Sequence, residues 1–253
     1  MGIRSYSDSE LAARLHDPGI RRLGIVIGLP LIDGVFITLV LAGILDAVAG
    51  VILTGLIIFG GTAAAAVVLA DLEDESITHL IGLGVIGAII IPVAGIQAMI
   101  APTLSTWLDV ALLERFAVIV LLIIAIKMMG LPFARYMPRS GVVVALALVV
   151  SLDISNGSWV AADLGLFVNG AVAAAIGILA VGSMILAGNR IRNLLDTDRI
   201  RMVGGASVAA LAISLVLNWP LWVALGVLVI GTILALNRSP VEFFPGDVPD
   251  MAS

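Results

Sequence analysis

Two aspartates in apolar surroundings carry the sharpest chemical signal in this sequence. Asp33 follows the run Gly24 to Ile32 and is bracketed by Pro30 and Gly34, while Asp153 follows residues 141–152 and opens Asp153-Ile154-Ser155-Asn156-Gly157. A carboxylate in hydrocarbon costs roughly 2.5 to 3.5 kcal/mol on insertion scales, so it needs a proton, a partner, a cation or water. Pro and Gly free or weaken backbone hydrogen bonds at the same places. Carbonyls and a carboxylate brought together at a helix break suit a cation or a proton, and interrupted segments at corresponding places in two halves point to a transporter's midplane site. The opposing reading makes Asp33 a proton-bearing or hydrogen-bonded carboxyl that locks packing, and Asp153 the edge of an outer loop.

Asn169 and Asp163 complete the set of candidate substrate- or ion-binding residues. They share one expected helix, yet a spacing of six turns them roughly 120° apart, so they face different neighbours. An amide near mid-membrane ties helices together for roughly 0.6 to 2 kcal/mol, which favours a structural role for Asn169. Asp163 lies nearer the outer surface. Lys127 sits about one turn from an inner helix end, where its side chain reaches the interface, and Glu114 with Arg115 fits a headgroup pair at the outer start of the same helix.

The elements that must position these groups follow from composition. Of 253 residues 61% are hydrophobic and 12% charged, and the mean hydropathy is +1.19, which excludes a soluble enzyme. A spanning helix takes about 20 apolar residues. By that measure the fold class is all-α: a polytopic membrane helix bundle of about eight transmembrane helices, near 24–43, 47–70, 80–101, 113–131, 141–153, 159–187, 203–217 and 219–236. The last two divide at Asn218-Trp219-Pro220. Residues 1–23 form a cytoplasmic N-terminal amphipathic segment, with Ser7 and Glu10 as a capping box, 24–236 the transmembrane domain, and 237–253 a cytoplasmic acidic tail. Three acids before the first apolar run argue against a secretory signal.

Topology can be checked with residues not used to draw the segments. Arginines 4, 14, 21 and 22, then 135 and 139, then 190, 192, 199 and 201, then 238 fall on one side if both termini are cytoplasmic, and Trp107, Trp159, Trp219 and Trp222 fall on the other. The expected location is therefore the cell membrane, multi-pass. The acidic loop at 71–75 lacks a basic residue. A shift of about 120 residues aligns Asp33 with Asp153, Gly50 with Gly170 and Gly84 with Gly204, giving repeats at 24–101 and 141–217, whose register favours parallel halves.

Twelve of the 13 basic residues are Arg, the pI is about 4.9 and the net charge is -5. That balance points to a halophile and excludes nucleic acid, which needs a clustered basic patch. No cysteine and two distant histidines leave no metal or haem set, so no cofactor is expected. The motifs of intramembrane serine, metallo- and aspartyl proteases are absent, and no enzyme is expected. The partners expected are the lipid bilayer and a small solute or ion, with a homo-oligomer left open.

At Pro30-Leu31-Ile32-Asp33-Gly34 and Leu152-Asp153-Ile154-Ser155-Asn156-Gly157 the sequence loosely resembles the superfamily of lysine exporters, TerC-like tellurium-resistance proteins and related cation transporters. The resemblance covers the layout of helices 1 to 3 and 5 to 7, and implies a cation transporter in which Asp33-Gly34, and less well Asp153, take the place of the acidic residues near glycine. The cation-exchanger branch has an acidic-x-Gly-Asp-basic-hydroxyl motif, whereas Val35 and Phe36 follow Asp33-Gly34 here. Those families also invert their halves. In general style the chain resembles uncharacterised integral membrane proteins of halophilic archaea. The expectation is a small secondary transporter or exporter using an intramembrane carboxylate; the alternative is a non-catalytic membrane scaffold or assembly protein.

Overall fold

A computed structural model describes residues 18–61, 76–153, 157–192 and 197–236. The expected amphipathic segment before residue 18, the acidic loop at 71–75 and the tail from 237 lie outside the described residues. Each of the eight apolar segments contains helix among the described residues, and no strand occurs among them beyond one antiparallel bridge between Leu108 and Leu152. In chain order these are α1 (Pro18–Ile32), α2 (Val35–Leu41), a 3-10 turn at Ile44–Asp46, α3 (Val48–Leu53) running into a π-helix at Thr54–Gly61, α4 (Ser76–Ser105), α5 (Val110–Met128), a 3-10 turn at Pro132–Tyr136, α6 (Ser140–Val150), α7 (Leu164–Arg192), α8 (Thr197–Leu217) and α9 (Trp222–Leu236).

Local chemistry sets several of these boundaries. Asp109 starts α5 by accepting from the Leu112 N–H at 3.1 Å. Gly130, at φ 68, ends it. Asn218, at φ 52, stops α8 just before Trp219-Pro220, so the expected division of the last two segments falls where the sequence places it.

Small residues fix the helix directions. Gly24 and Gly28 of α1 meet Ile86 and Ile90 of α4, so the two run parallel. Gly87 meets Ile178, Gly182 meets Leu83, and Gly170 meets Ala94 and Ala98, so α7 runs antiparallel to α4. The π-helix follows α7, with Gly55 on Ala173 and Gly60 on Ala180. Gly205 meets Ala125 and Met129, setting α8 against α5, and Gly231 meets Val203, sending α9 back along α8. The start of α1 and the end of α9 therefore share one end of the bundle with the α5–α6 connection. Trp107, Trp159, Trp219 and Trp222 lie at the other, and Trp159 is 88% exposed.

The core centres on Ile27, Phe36, Leu45, Leu53, Phe59, Leu121 and Leu211, all fully buried, with the Phe36 and Phe59 rings 5.3 Å apart and tilted by 59°. The outside is apolar too. On α4 the exposed side chains Ile89, Val93, Ile96 and Ile100 recur at helical spacing, and α7 presents Val168, Val172, Leu179 and Leu186. A helix apolar on both faces belongs in a large core or in lipid.

Leu80–Ser105 and Leu164–Leu186 are long and apolar enough to cross a bilayer, and Leu23–Ile32 with Val35–Leu41, bent by 41°, makes a third if the pair is one span. The other five expected spans fall short for distinct reasons. The described part of the second, up to Gly61, divides into six residues of α3 and eight of π-helix, and its residues 62–70 lie outside the described residues. In α5 only Phe116 to Ile126 is free of charge between Arg115 and Lys127. Meanwhile α6 has 11 residues, α9 has 15, and the apolar part of α8 is Met202–Leu217.

Candidate functional site at the helix breaks

The chain leaves α1 where Pro30, lacking an N–H, removes one helix bond, and the Asp33 N–H closes the last on the Leu29 carbonyl at 2.8 Å. Gly34 then takes φ 73 and ψ 5, the left-handed region. Its carbonyl accepts from both the N–H and the hydroxyl of Thr38, at 3.1 and 2.8 Å, which starts α2. A Cβ on Gly34 would stand 2.8 Å from Val144 Cγ1, so close approach of α6 also requires glycine.

That approach defines the surroundings of Asp33. Its carboxyl carbon and Oδ1 lie 3.4 Å from where a Cβ on Gly141 would stand, so the half-buried carboxyl faces the first turn of α6. The N–H groups of a first helical turn lack partners within the helix and carry its positive dipole end. At about 1.5 Å per residue, α6 spans only about 16 Å, half a bilayer. Its start is tethered by Lys127, whose Nζ donates to the Pro138 carbonyl at 2.6 Å.

Two amides hold the broken stretch at its two ends. Gln97 of α4 donates from Nε2 to the Leu31 carbonyl at 3.2 Å, where the next helical turn is missing. Asn169 of α7 donates from Nδ2 to the Leu45 carbonyl at 2.9 Å, in the 3-10 turn behind Gly43, a second left-handed glycine at φ 71. In the antiparallel register of α4 and α7, with Gly95 against Phe167 and Gly170 against Ala94 and Ala98, Gln97 and Asn169 stand at the same height. Gln97 Oε1 is buried and accepts no hydrogen bond from the described residues. Sequence reasoning passed over Gln97. The signal was present, since it is the chain's only glutamine and lies inside an apolar span, the criterion that singled out Asn169.

The remaining candidates lie elsewhere. Asp163 is exposed and caps α7, its Oδ1 accepting from the N–H groups of Gly165 and Leu166 at 2.7 and 3.2 Å. Asp153 is exposed beyond the far end of α6, where its N–H donates to the Trp107 carbonyl at 2.8 Å and the Asp109 N–H donates to Ser151 at 2.7 Å. Thr103 and Thr106 tie the neighbouring extended segment to α4 through Val160 and Ser158. Asp33, at Gly141, and Asp153 are thus separated by slightly more than the length of α6, roughly 18 Å. The structure brings Asp33 to α6 and Asn169 to the Leu45 turn, and sets Asp153 and Asp163 at the tryptophan end. Among the described residues no three His, Cys, Asp or Glu gather as metal ligands.

The fold and site define a class: an all-helical protein with apolar helices of bilayer length and polar side chains seated at helix breaks. Within it, the chain belongs to a family of unknown function, DUF5794, whose profile matches residues 90–217, just over half of its length. The match takes in Gln97, α6, Asp153, Asp163 and Asn169, while Asp33 precedes it. No curated protein and no solved structure matches the chain.

Proposed function

We propose that the protein is a multi-pass membrane transporter of a cation or small solute, with Asp33 as the carboxylate that takes up the coupling ion or proton. The observation that carries this reading is the seating of Asp33 in the α1–α2 break against the start of the half-length helix α6. Ends of discontinuous helices are where transporters hold charged substrates and ions. In the same break Gln97 donates to the Leu31 carbonyl, and its own Oε1 is a buried oxygen acceptor.

Eight passes with both termini on the arginine side, cytoplasmic in the cell membrane, make up the topology of this reading. It is supported by the alternating helix directions, the apolar outer faces and the tryptophans at one end. The resemblance to lysine exporters and TerC-like proteins supports a cation as cargo, and the acidic composition with a single lysine supports a halophilic archaeal source. A second reading, a non-catalytic scaffold, is favoured by the engagement of Asn169 and Asp163 in hydrogen bonds to backbone.

Flux into proteoliposomes under pH and ion gradients, across a panel of cations and amino acids, separates the two. Transport that Asp33→Asn abolishes in folded protein is the expected result. No flux under any gradient, with an Asp33→Asn protein that merely melts earlier, would put the scaffold first.

A further inference from the structure

The connection from α5 to α6 differs in charge from the rest of the chain. Lys127, Arg135 and Arg139 occur within 13 residues, and no acid occurs between Glu114 and Asp153, in a protein of net charge -5. The nearest acid in the fold to the start of α6 that the contacts show is Asp33, which faces Gly141.

The connection is also built. Gly130 turns the chain out of α5, and the 3-10 turn Pro132–Tyr136 leaves Phe133 and Tyr136 47% and 77% exposed. The Arg135 guanidinium stacks over the Tyr136 ring, 4.8 Å from its centroid. Lys127 fixes the far side at the Pro138 carbonyl, and Arg139 stands exposed at the start of α6. Because α6 is shorter than α5 by eight residues, the connection fills a step at the arginine end of the bundle. Exposed aromatic rings beside exposed arginines match the interfacial layer of a bilayer, rings among glycerol and upper acyl groups and guanidinium on phosphate.

We infer that this step is a binding site for an anionic phospholipid, with Arg135 and Arg139 on the headgroup phosphate and Phe133 and Tyr136 against its glycerol and upper chains. The inference rests on the membrane reading above but not on transport. A soluble acidic peptide would satisfy the arginines and leave the rings in water.

The test uses the full chain in nanodiscs of phosphatidylcholine, with and without an equal part of phosphatidylglycerol, reading retained lipid by native mass spectrometry and unfolding temperature by tryptophan fluorescence. Wild type is expected to retain phosphatidylglycerol over phosphatidylcholine by about fivefold per arginine and to melt higher in the mixed discs. Arg135→Gln with Arg139→Gln should lose both effects while melting unchanged in pure phosphatidylcholine. Phe133→Ser should weaken retention and leave its salt dependence intact. Equal retention of the two lipids by wild type overturns the site, as does a preference that survives the double substitution or a shift reproduced by inorganic phosphate. A chain that enters no disc and leaves vesicles under alkaline wash overturns the membrane reading and this inference together, whereas entry without lipid preference removes only the inference.

Discussion

At Gly34 two constraints meet, a left-handed backbone and a methyl group of Val144 where a Cβ would go. The left-handed region costs a non-glycine residue roughly 1–2 kcal/mol, and overfilling a packed contact costs typically 1–3 kcal/mol more. Gly34→Ala should therefore destabilise by about 3 kcal/mol, read as a loss of unfolding free energy in detergent. Adding Val144→Ala should recover the packing part alone, and a double variant as stable as Val144→Ala by itself would show that the backbone is not strained there. At Asp163 the contacts are those of a helix cap. Asp163→Ala should cost about 1 kcal/mol, as loss of an N-cap does, while Asp163→Asn keeps the cap and leaves both stability and any flux unchanged. Asp33 was legible in the sequence because proline and glycine mark the break beside it. Gln97 was as legible as Asn169, a lone amide in an apolar span, but its partner, a carbonyl 66 residues away, was not, since only the fold brings the two together.

Among the elements, α6 governs how the break is held, because it lies against Gly34 and Asp33 at one end and joins the Leu108–Leu152 bridge at the other. Lys127 anchors the near end. Lys127→Met keeps the apolar stem and removes the donor to Pro138, so hydrogen exchange should quicken in the first turn of α6 and not in α4 or α7; unchanged exchange would mean that the tether carries no strain. The amides act on the opposite side. Gln97→Leu leaves the Leu31 carbonyl without its side-chain donor, and Asn169→Leu does the same at Leu45, each costing about 1–3 kcal/mol if the carbonyl stays buried. The apolar runs were enough to show an all-helical chain with helix in each run, because hydrophobicity is a local property, whereas two helices, or three spans with the bent pair, reach bilayer length among the described residues. The π-helix at Thr54–Gly61 was not legible in this way. It is held by glycines of two elements, Gly55 and Gly60 against Gly177, and a run of small residues reads the same whether its helix is α or π.

Across the whole molecule, the alternation of directions has a consequence that depends on no single side chain. If the bundle spans a bilayer, the start of α1 and the α5–α6 connection face one compartment, and the segment between α6 and α7 faces the other. The sequence is free of cysteine, so single cysteines report on this without background. Arg21→Cys, Arg135→Cys and Ala161→Cys each replace an exposed residue. In right-side-out vesicles a membrane-impermeant maleimide should label Ala161→Cys alone, and in inverted vesicles Arg21→Cys and Arg135→Cys. The outcome discriminates because α6 is half a bilayer long. Were α6 re-entrant instead of spanning, Ala161→Cys would be labelled from the same side as Arg135→Cys, α7 would become the next pass from that side, and the two arginine-end cysteines would still agree with each other. Agreement of all three would thus reduce the number of passes while leaving the Asp33 break in place, whereas the expected split supports α6 as a pass in its own right.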